Sequence, residues 1–297
     1  MANQFEMPRL SRRAILGLGA RLLTAGTAST LAGDWTKASD AFFMEDTSSP
    51  PVIDCHAHAG TSGLAGSNDD LTDPWNAVAD PHIILRRQIQ AGIDRTCVGP
   101  IFNNTYEIAN EAIAELCRQY PFKFIAFARH NPKTEAGRIR RLVLREVQQL
   151  GIRGLGELHD QPNRELLDVA KELNLPVLYH SKRVSMYEEF LPYYPGVNFI
   201  VAHLGSDQSD DWREHVAAIE LAKRYPNVHL DTSAVVLSEY IEKAVQEVGP
   251  EKVIFGSDEV ECDCRLEIYK VRVLGLPKEH EKLILGGNML RLLGGRL

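Results

Sequence analysis

The chain of 297 residues contains no apolar run near the roughly 18 residues that cross a bilayer, so no membrane span is expected. Cysteine is scarce. The five, at positions 55, 97, 117, 262 and 264, are odd in number and match no zinc-knuckle spacing, which argues against a disulfide framework. Cys262-x-Cys264 reads as two loop thiols rather than a soft-metal site. Lysine and arginine form no polybasic tract, and the net charge of −7 excludes a general nucleic-acid binder, whose surface must be basic. A phosphate-cradling loop is missing too: Thr61-Ser-Gly-Leu-Ala-Gly66 opens a long loop rather than a helix, and it lacks a P-loop lysine. These absences leave small-molecule partners as the expectation.

The first fifty residues differ from the rest. Ser11-Arg12-Arg13-Ala14-Ile15-Leu16, followed by a small-residue stretch ending near Ala32, is similar to a twin-arginine export signal. Arg21 limits its apolar region to residues 14–20, about the minimum length for such a segment. Residues 1–32 are therefore read as a signal directing export to the periplasm, the cytoplasm being the alternative. Residues 33–50, rich in Ser, Asp and Thr, read as a linker, and residues 51–297 as the folded domain.

From residue 51 onward, strand-like runs alternate with helical patterns. The runs are 52–56, 95–102, 122–128, 151–158, 176–180, 198–203, 227–231 and 252–257. Helical periodicity covers 83–90, 106–118, 135–149, 164–173, 212–224 and 238–248. Strands joined by helices pair in parallel with right-handed crossovers. Eight of them in about 250 residues predict a single (β/α)8 TIM-type barrel rather than an open sheet.

A barrel gathers its chemistry at the carboxyl ends of its strands. The polar residues closing the eight runs are His58, Asn103, Arg129, Glu157, His180, His203, Asp231 and Asp258. His56 and His58, two apart on one strand, leave the same face and converge, as a zinc site requires. Cys55, just before His56, alternates away from both histidines and is expected to pack outward under a helix. His56, His58, His180 and Asp258 together suit a divalent metal, zinc most readily, with one position open for water. Such a metal lowers the pKa of water to about 7, and Asp258 would serve as weak ligand and as proton acceptor. His203 would bind a second metal or act as acid or electrophile. Glu157 would either bridge two metals or pair with Arg129, so one ion or two remain open. His159 shares the face of Glu157 and is expected to contact substrate.

Four segments carry a family resemblance: Ile53-Asp-Cys-His-Ala-His58, Phe199-Ile-Val-Ala-His-Leu-Gly205, Val253-Ile-Phe-Gly-Ser-Asp258 and Ile284-Leu-Gly-Gly-Asn-Met-Leu-Arg-Leu-Leu293. In this order and spacing the chain resembles the amidohydrolase superfamily, in particular its amidohydrolase-related (amidohydrolase 2) branch. The resemblance implies a barrel with paired histidines on strand 1, histidines on strands 5 and 6, and an aspartate on strand 8. Here those are His56, His58, His180, His203 and Asp258. The strand-4 lysine of binuclear relatives is absent and Glu157 stands near its place; some relatives use a glutamate there as a metal ligand.

Two reactions follow. In one, a metal-activated water attacks an amide, lactone or ester carbonyl while Asp258 shuttles the proton. The other is the decarboxylation that the resemblance associates with enzymes of the aminocarboxymuconate-semialdehyde decarboxylase type. Those carry a glutamate beside the first histidines, and none stands beside His56 and His58, which favours hydrolysis. A metal-binding barrel without catalysis is the reading from another class. Arg129, with Lys182 and Arg183 nearby, suggests that the substrate carries an anionic group. The loop at 59–80, with Asp69, Asp70 and Trp75, would cover the site or meet a second subunit, leaving homo-oligomerisation open.

Overall fold

A computed structural model of the chain describes residues 50–61, 78–101, 106–206, 211–295 and 297. The export-signal segment, the linker up to residue 49, most of the 59–80 loop and Asn103 lie outside these residues.

Eight parallel strands follow one another in chain order: β1 (Ile53–Thr61), β3 (Arg95–Pro100), β4 (Phe124–Ala128), β5 (Gly154–Leu158), β6 (Val177–Tyr179), β7 (Phe199–Val201), β8 (Val228–Asp231) and β9 (Val253–Ile254). A two-residue strand, β2 (Val78–Ala79), adds antiparallel to the end of β1. Backbone bonds from Cys55 N to Phe255 O (2.9 Å) and from Asp258 N to His56 O (2.7 Å) bring β1 against the β9 segment. The fold is a (β/α)8 TIM-type barrel.

Helices α1 (Pro81–Ala91), α2 (Tyr106–Gln119), α3 (Ile139–Arg145), α4 (Arg164–Leu173), α5 (Trp212–Arg224), α6 (Glu239–Val248), α7 (Cys264–Arg272), α8 (Lys278–Lys282) and α9 (Asn288–Leu292) pack outside or below the strands. Local chemistry sets their ends. Asp80 accepts from His82 N at 2.9 Å and Pro81 opens α1, earlier than the apolar periodicity alone indicates. Asn163 caps α4 through Leu166 N, and Asn174, at φ 52°, ends it in a left-handed turn. The expected helix over 135–149 is shorter. Its first residues form turns because the Glu135 carboxylate bonds Asn131 N and His130, and its last turn widens over Glu146–Leu150. Between β6 and β7 the connection is two short turns of helix, Val184–Glu189 and Leu191–Tyr193.

Side chains alternate between two apolar layers. Phe124, Ala126 and Ala128 of β4 join the layer beneath the helices. Ile125 and Phe127 join an inner cluster with Ile53, Leu178, Ile200 and Ile254, which Met289, Leu292 and Leu293 of the C-terminal segment extend. Cys55 lies in that inner cluster, contrary to the outward position expected from alternation. The cause is a bulge: Asp54 pairs with Thr96 but Ala57 with Val98, so Cys55 and His56 together oppose Cys97. Both side chains then point inward, and the thiol sits 3.7 Å from Asp231 Oδ1.

Candidate metal centre

At the carboxyl ends of β1, β5, β6, β7 and β9, four imidazoles and two carboxylates converge. His56 Nε2 and His58 Nε2 stand 3.2 Å apart. Asp258 Oδ1 approaches them at 3.6 and 3.3 Å. Glu157 lies between this group and the next pair. Its Oε1 is 2.8 Å from His180 Nδ1, 3.3 Å from His203 Nε2 and 3.5 Å from His56 Nε2. Its Oε2 is 3.6 Å from His58 Nε2 and 2.7 Å from His159 Nε2. His56, His58 and Glu157 form one compact donor set, and Glu157, His180 and His203 another.

The backbone aims these groups. The bulge in β1 brings His56 inward, and β1 continues to Thr61, so His58 stays in register. Beyond β7 the chain turns left-handed at His203 (φ 53°) and Leu204 (φ 51°), a conformation that non-glycine residues seldom adopt. His203 Nδ1 is thereby turned to Ser233 Oγ at 3.0 Å, leaving Nε2 toward Glu157. Asp258 is also left-handed, at φ 57°. Its neighbour Ser257 is tied to Asp54 through its amide (2.9 Å) and hydroxyl (2.6 Å).

Behind the donors sits Asp231, fully buried at the end of β8. Its Oδ2 accepts from His56 Nδ1 at 2.9 Å, which fixes the tautomer whose Nε2 lone pair faces the cluster. The sequence marked Asp231 as a strand end without giving it this role; the Asp231-Thr-Ser233 run that closes β8 was the available signal. Asp231 also accepts from Ser233 N (2.9 Å) and Ser233 Oγ (2.5 Å).

Electrostatics follow the geometry. Burial opposes the charged form of His56, but the Glu157 charge and the bonds to Asp231 and Glu157 raise its pKa well above 6.5. His203 is also raised: burial works against it, and Glu157 and Asp258 outweigh burial. Glu157 is held well below the usual range by the surrounding imidazoles, despite burial. For Asp258, burial is overcome by the His58 bond and the charges of His56 and His203, which bring it down to about 2. Carboxylates and basic nitrogens packed this closely, away from water, are the donor chemistry of a divalent cation site. A further acidic group, Glu259 with Asp263 and Cys264, differs in kind, because Arg87 already pairs with Glu259.

Arg129, beyond β4, is 2% exposed. Its guanidinium lies over the Tyr106 ring at 5.5 Å and donates to Pro100 O at 3.3 Å. Glu157, which the sequence allowed to pair with it, turns its oxygens to histidines. Lys182 and Arg183 are exposed past β6.

A family model described as Amidohydrolase (Amidohydro_2) matches residues 53–295. The chain belongs to this family. Among solved structures, it is similar to a putative 2-pyrone-4,6-dicarboxylic acid hydrolase from Pseudomonas putida, with a TM-score of 0.65 and 18% identity over 82% of this chain and 98% of that one. It is also similar to 2,6-dihydroxybenzoate decarboxylase from Rhizobium, with a TM-score of 0.63 and 16% identity over 82% and 99%. A third is a dihydroxybenzoic acid decarboxylase from Polaromonas sp. JS666 with bound manganese and the inhibitor 2-nitroresorcinol, with a TM-score of 0.62 and 15% identity over 84% and 98%. Comparison with curated proteins finds no match. At these identities the solved structures show the barrel fold alone, and those similar to this chain are named both as a putative hydrolase and as decarboxylases. Among the described residues no helix is long and apolar enough to cross a membrane.

Proposed function

We propose that this amidohydrolase is a metal-dependent hydrolase that opens an ester, lactone or amide bond in a small substrate bearing a carboxylate. The observation that carries the reading is the position of Glu157, with one carboxylate oxygen toward His180 and His203 and the other toward His58. A carboxylate shared by two histidine pairs suits two cations held side by side, an arrangement used to drive displacement by water. Cleaving a carbon–carbon bond consumes no water and gains nothing from that bridge.

His56, His58 and Asp258 would hold one ion, His180 and His203 the other, with Glu157 common to both. The imidazole-rich donor set favours zinc. When bound, such an ion polarises a carbonyl and makes water acidic near neutral pH. The chain supplies the remaining chemistry. Asp258, ionised at neutral pH, offers an oxygen that takes a proton from water and returns it to the leaving group. His203, steered by Ser233 through Nδ1, presents Nε2 on the same side as Glu157, where its lone pair would face the second ion. His159, 31% exposed, and the Arg129 guanidinium would meet the substrate carboxylate. The names of the similar structures, a dicarboxylic acid hydrolase and benzoic acid decarboxylases, support an anionic substrate. Arg12 and Arg13 support export of the folded, loaded protein.

The test is elemental analysis of the purified protein, followed by product analysis on carboxylated lactones and aromatic acids. Stoichiometric metal, with ring opening and no carbon dioxide, is expected. Carbon dioxide release without hydrolysis would assign the decarboxylase reading, and absence of bound metal would remove both. His56→Ala should lose metal and activity together; activity retained there breaks the assignment.

A further inference from the structure

A second buried polar cluster lies directly behind Arg129. The ladder of β4 ends at Ala128, and past that point the Arg129 backbone is held by a side chain. Asn110 on α2 accepts from Arg129 N at 3.0 Å through Oδ1 and donates from Nδ2 to the Arg129 carbonyl at 3.0 Å. One amide thus takes the place of a neighbouring strand. The same Nδ2 donates to Glu146 Oε1 at 2.8 Å. Glu146 Oε2 stands 2.9 Å from His130 Nε2, and Glu135 Oε2 stands 2.9 Å from His130 Nδ1. With a carboxylate on each ring nitrogen, His130 is a held imidazolium: burial opposes it, and the two bonds raise it to about 9. Asn110, His130, Glu135 and Glu146 are all 4% exposed or less.

Buried charges in such a cluster stabilise a fold little better than apolar side chains of the same size, so geometry is what they contribute. Here the geometry ends on Arg129. Arg129 follows directly on the carboxyl end of β4, the end of the barrel at which the donors of the metal centre stand, and its guanidinium lies over Tyr106. We propose that Asn110, Glu146, His130 and Glu135 form a positioning unit that aims the Arg129 guanidinium at a substrate carboxylate and sets selectivity for dicarboxylates over monocarboxylates. This rests on the reading above that Arg129 meets an anionic group.

The experiment measures calorimetric dissociation constants of benzoate and isophthalate on the metal-loaded, full-length protein. Benzoate has one carboxylate, which the cation would take; isophthalate has a second, free for Arg129. Arg129→Met should lower the preference for isophthalate at least about tenfold, the worth of a charge-assisted pair. Asn110→Ala should lower it comparably while the benzoate constant stays within about twofold; Asn110→Ser serves if the alanine variant does not fold. Glu146→Gln should retain the preference, because its carbonyl oxygen still accepts from Asn110, which keeps its hold on the Arg129 backbone. Wild-type preference in the Asn110 variant, beside a lowered one in Arg129→Met, overturns the positioning role and leaves the anionic-substrate reading standing. Equal weakening of both ligands also overturns it, since that marks general loosening. An unchanged preference in Arg129→Met removes the anionic-substrate reading and the positioning role together.

Discussion

Asp231→Asn separates the shape of the metal centre from its hydrogen-bond logic, because the substitution changes one atom and almost no volume. In the native protein Oδ2 receives His56 Nδ1 (2.9 Å), Ser233 Oγ (2.5 Å) and His203 N (3.3 Å). Oδ1 receives Ser233 N (2.9 Å) and Cys55 Sγ (3.7 Å). An asparagine keeps one acceptor and turns the other into a donor. If the amide nitrogen replaces Oδ2, His56 must accept at Nδ1, and its proton moves to Nε2, where the lone pair should face the cation. If it replaces Oδ1, the buried Ser233 N–H loses its acceptor. Either outcome is costly. A buried donor left unpaired costs about 1–3 kcal/mol, and loss of such a carboxylate–histidine pair weakens metal binding about 10- to 100-fold. The chelator-competition Kd should rise by that factor. The melting temperature in excess chelator should fall by roughly 2–4 °C per kcal/mol. Wild-type metal affinity in a variant that melts like the wild type would refute the assignment of Asp231 as the residue that orients His56.

Two other perturbations probe the frame. His130 is raised from 6.5 to about 9 in the folded protein, so its contribution to stability is complete below pH 6.5 and lost as pH climbs through about 9. The shift amounts to about 3 kcal/mol, and urea unfolding at pH 6.5 and 9.5 should show a decline of that order, absent in His130→Gln. Gly286→Ala places a Cβ 1.7 Å from the Pro51 carbonyl oxygen, a backbone atom that cannot yield, so the C-terminal segment cannot seat against the entry to β1. That variant should melt at least about 10 °C lower or fail to fold, whereas Gly196→Ala, whose new Cβ meets the Lys171 side chain at 3.7 Å, should melt normally.

The barrel was legible because each strand is a short apolar run closed by a polar residue, and that pattern fixes both topology and the face where chemistry collects. His56, His58, Glu157, His180, His203 and Asp258 all stand on that face, and the structure brings them within a few ångströms of one another. What alternation alone could not give was Cys55, because a bulge adds one residue to the count and reverses the expected side. Strand ends were overestimated for a related reason. His203 and Asp258 continue apolar runs in sequence, yet both sit in left-handed turns, a backbone state that a hydrophobic pattern does not encode. The supporting residues were harder still. Asn110 and Glu146 acquire meaning only when α2 and the turn after α3 meet behind β4, a contact between distant parts of the chain.

The electrostatics of the centre lead to a last prediction. Glu157, Asp258 and Asp231 are buried among four imidazoles, and three buried negative charges need balancing. Without a cation the histidines supply the balance by keeping protons, which is why His56 and His203 are raised above 6.5. A divalent ion requires neutral imidazole, so it must displace those protons as it binds. Loading at pH 7 should therefore release about one to two protons, given two raised histidines, and affinity should fall as pH falls. Titration of zinc into chelator-stripped protein in two buffers of different ionisation enthalpy measures the count directly. Identical heats in both buffers would mean that no proton leaves. The carboxylates would then be balanced by something other than His56 and His203, and the donor assignment built on those two residues would have to be withdrawn.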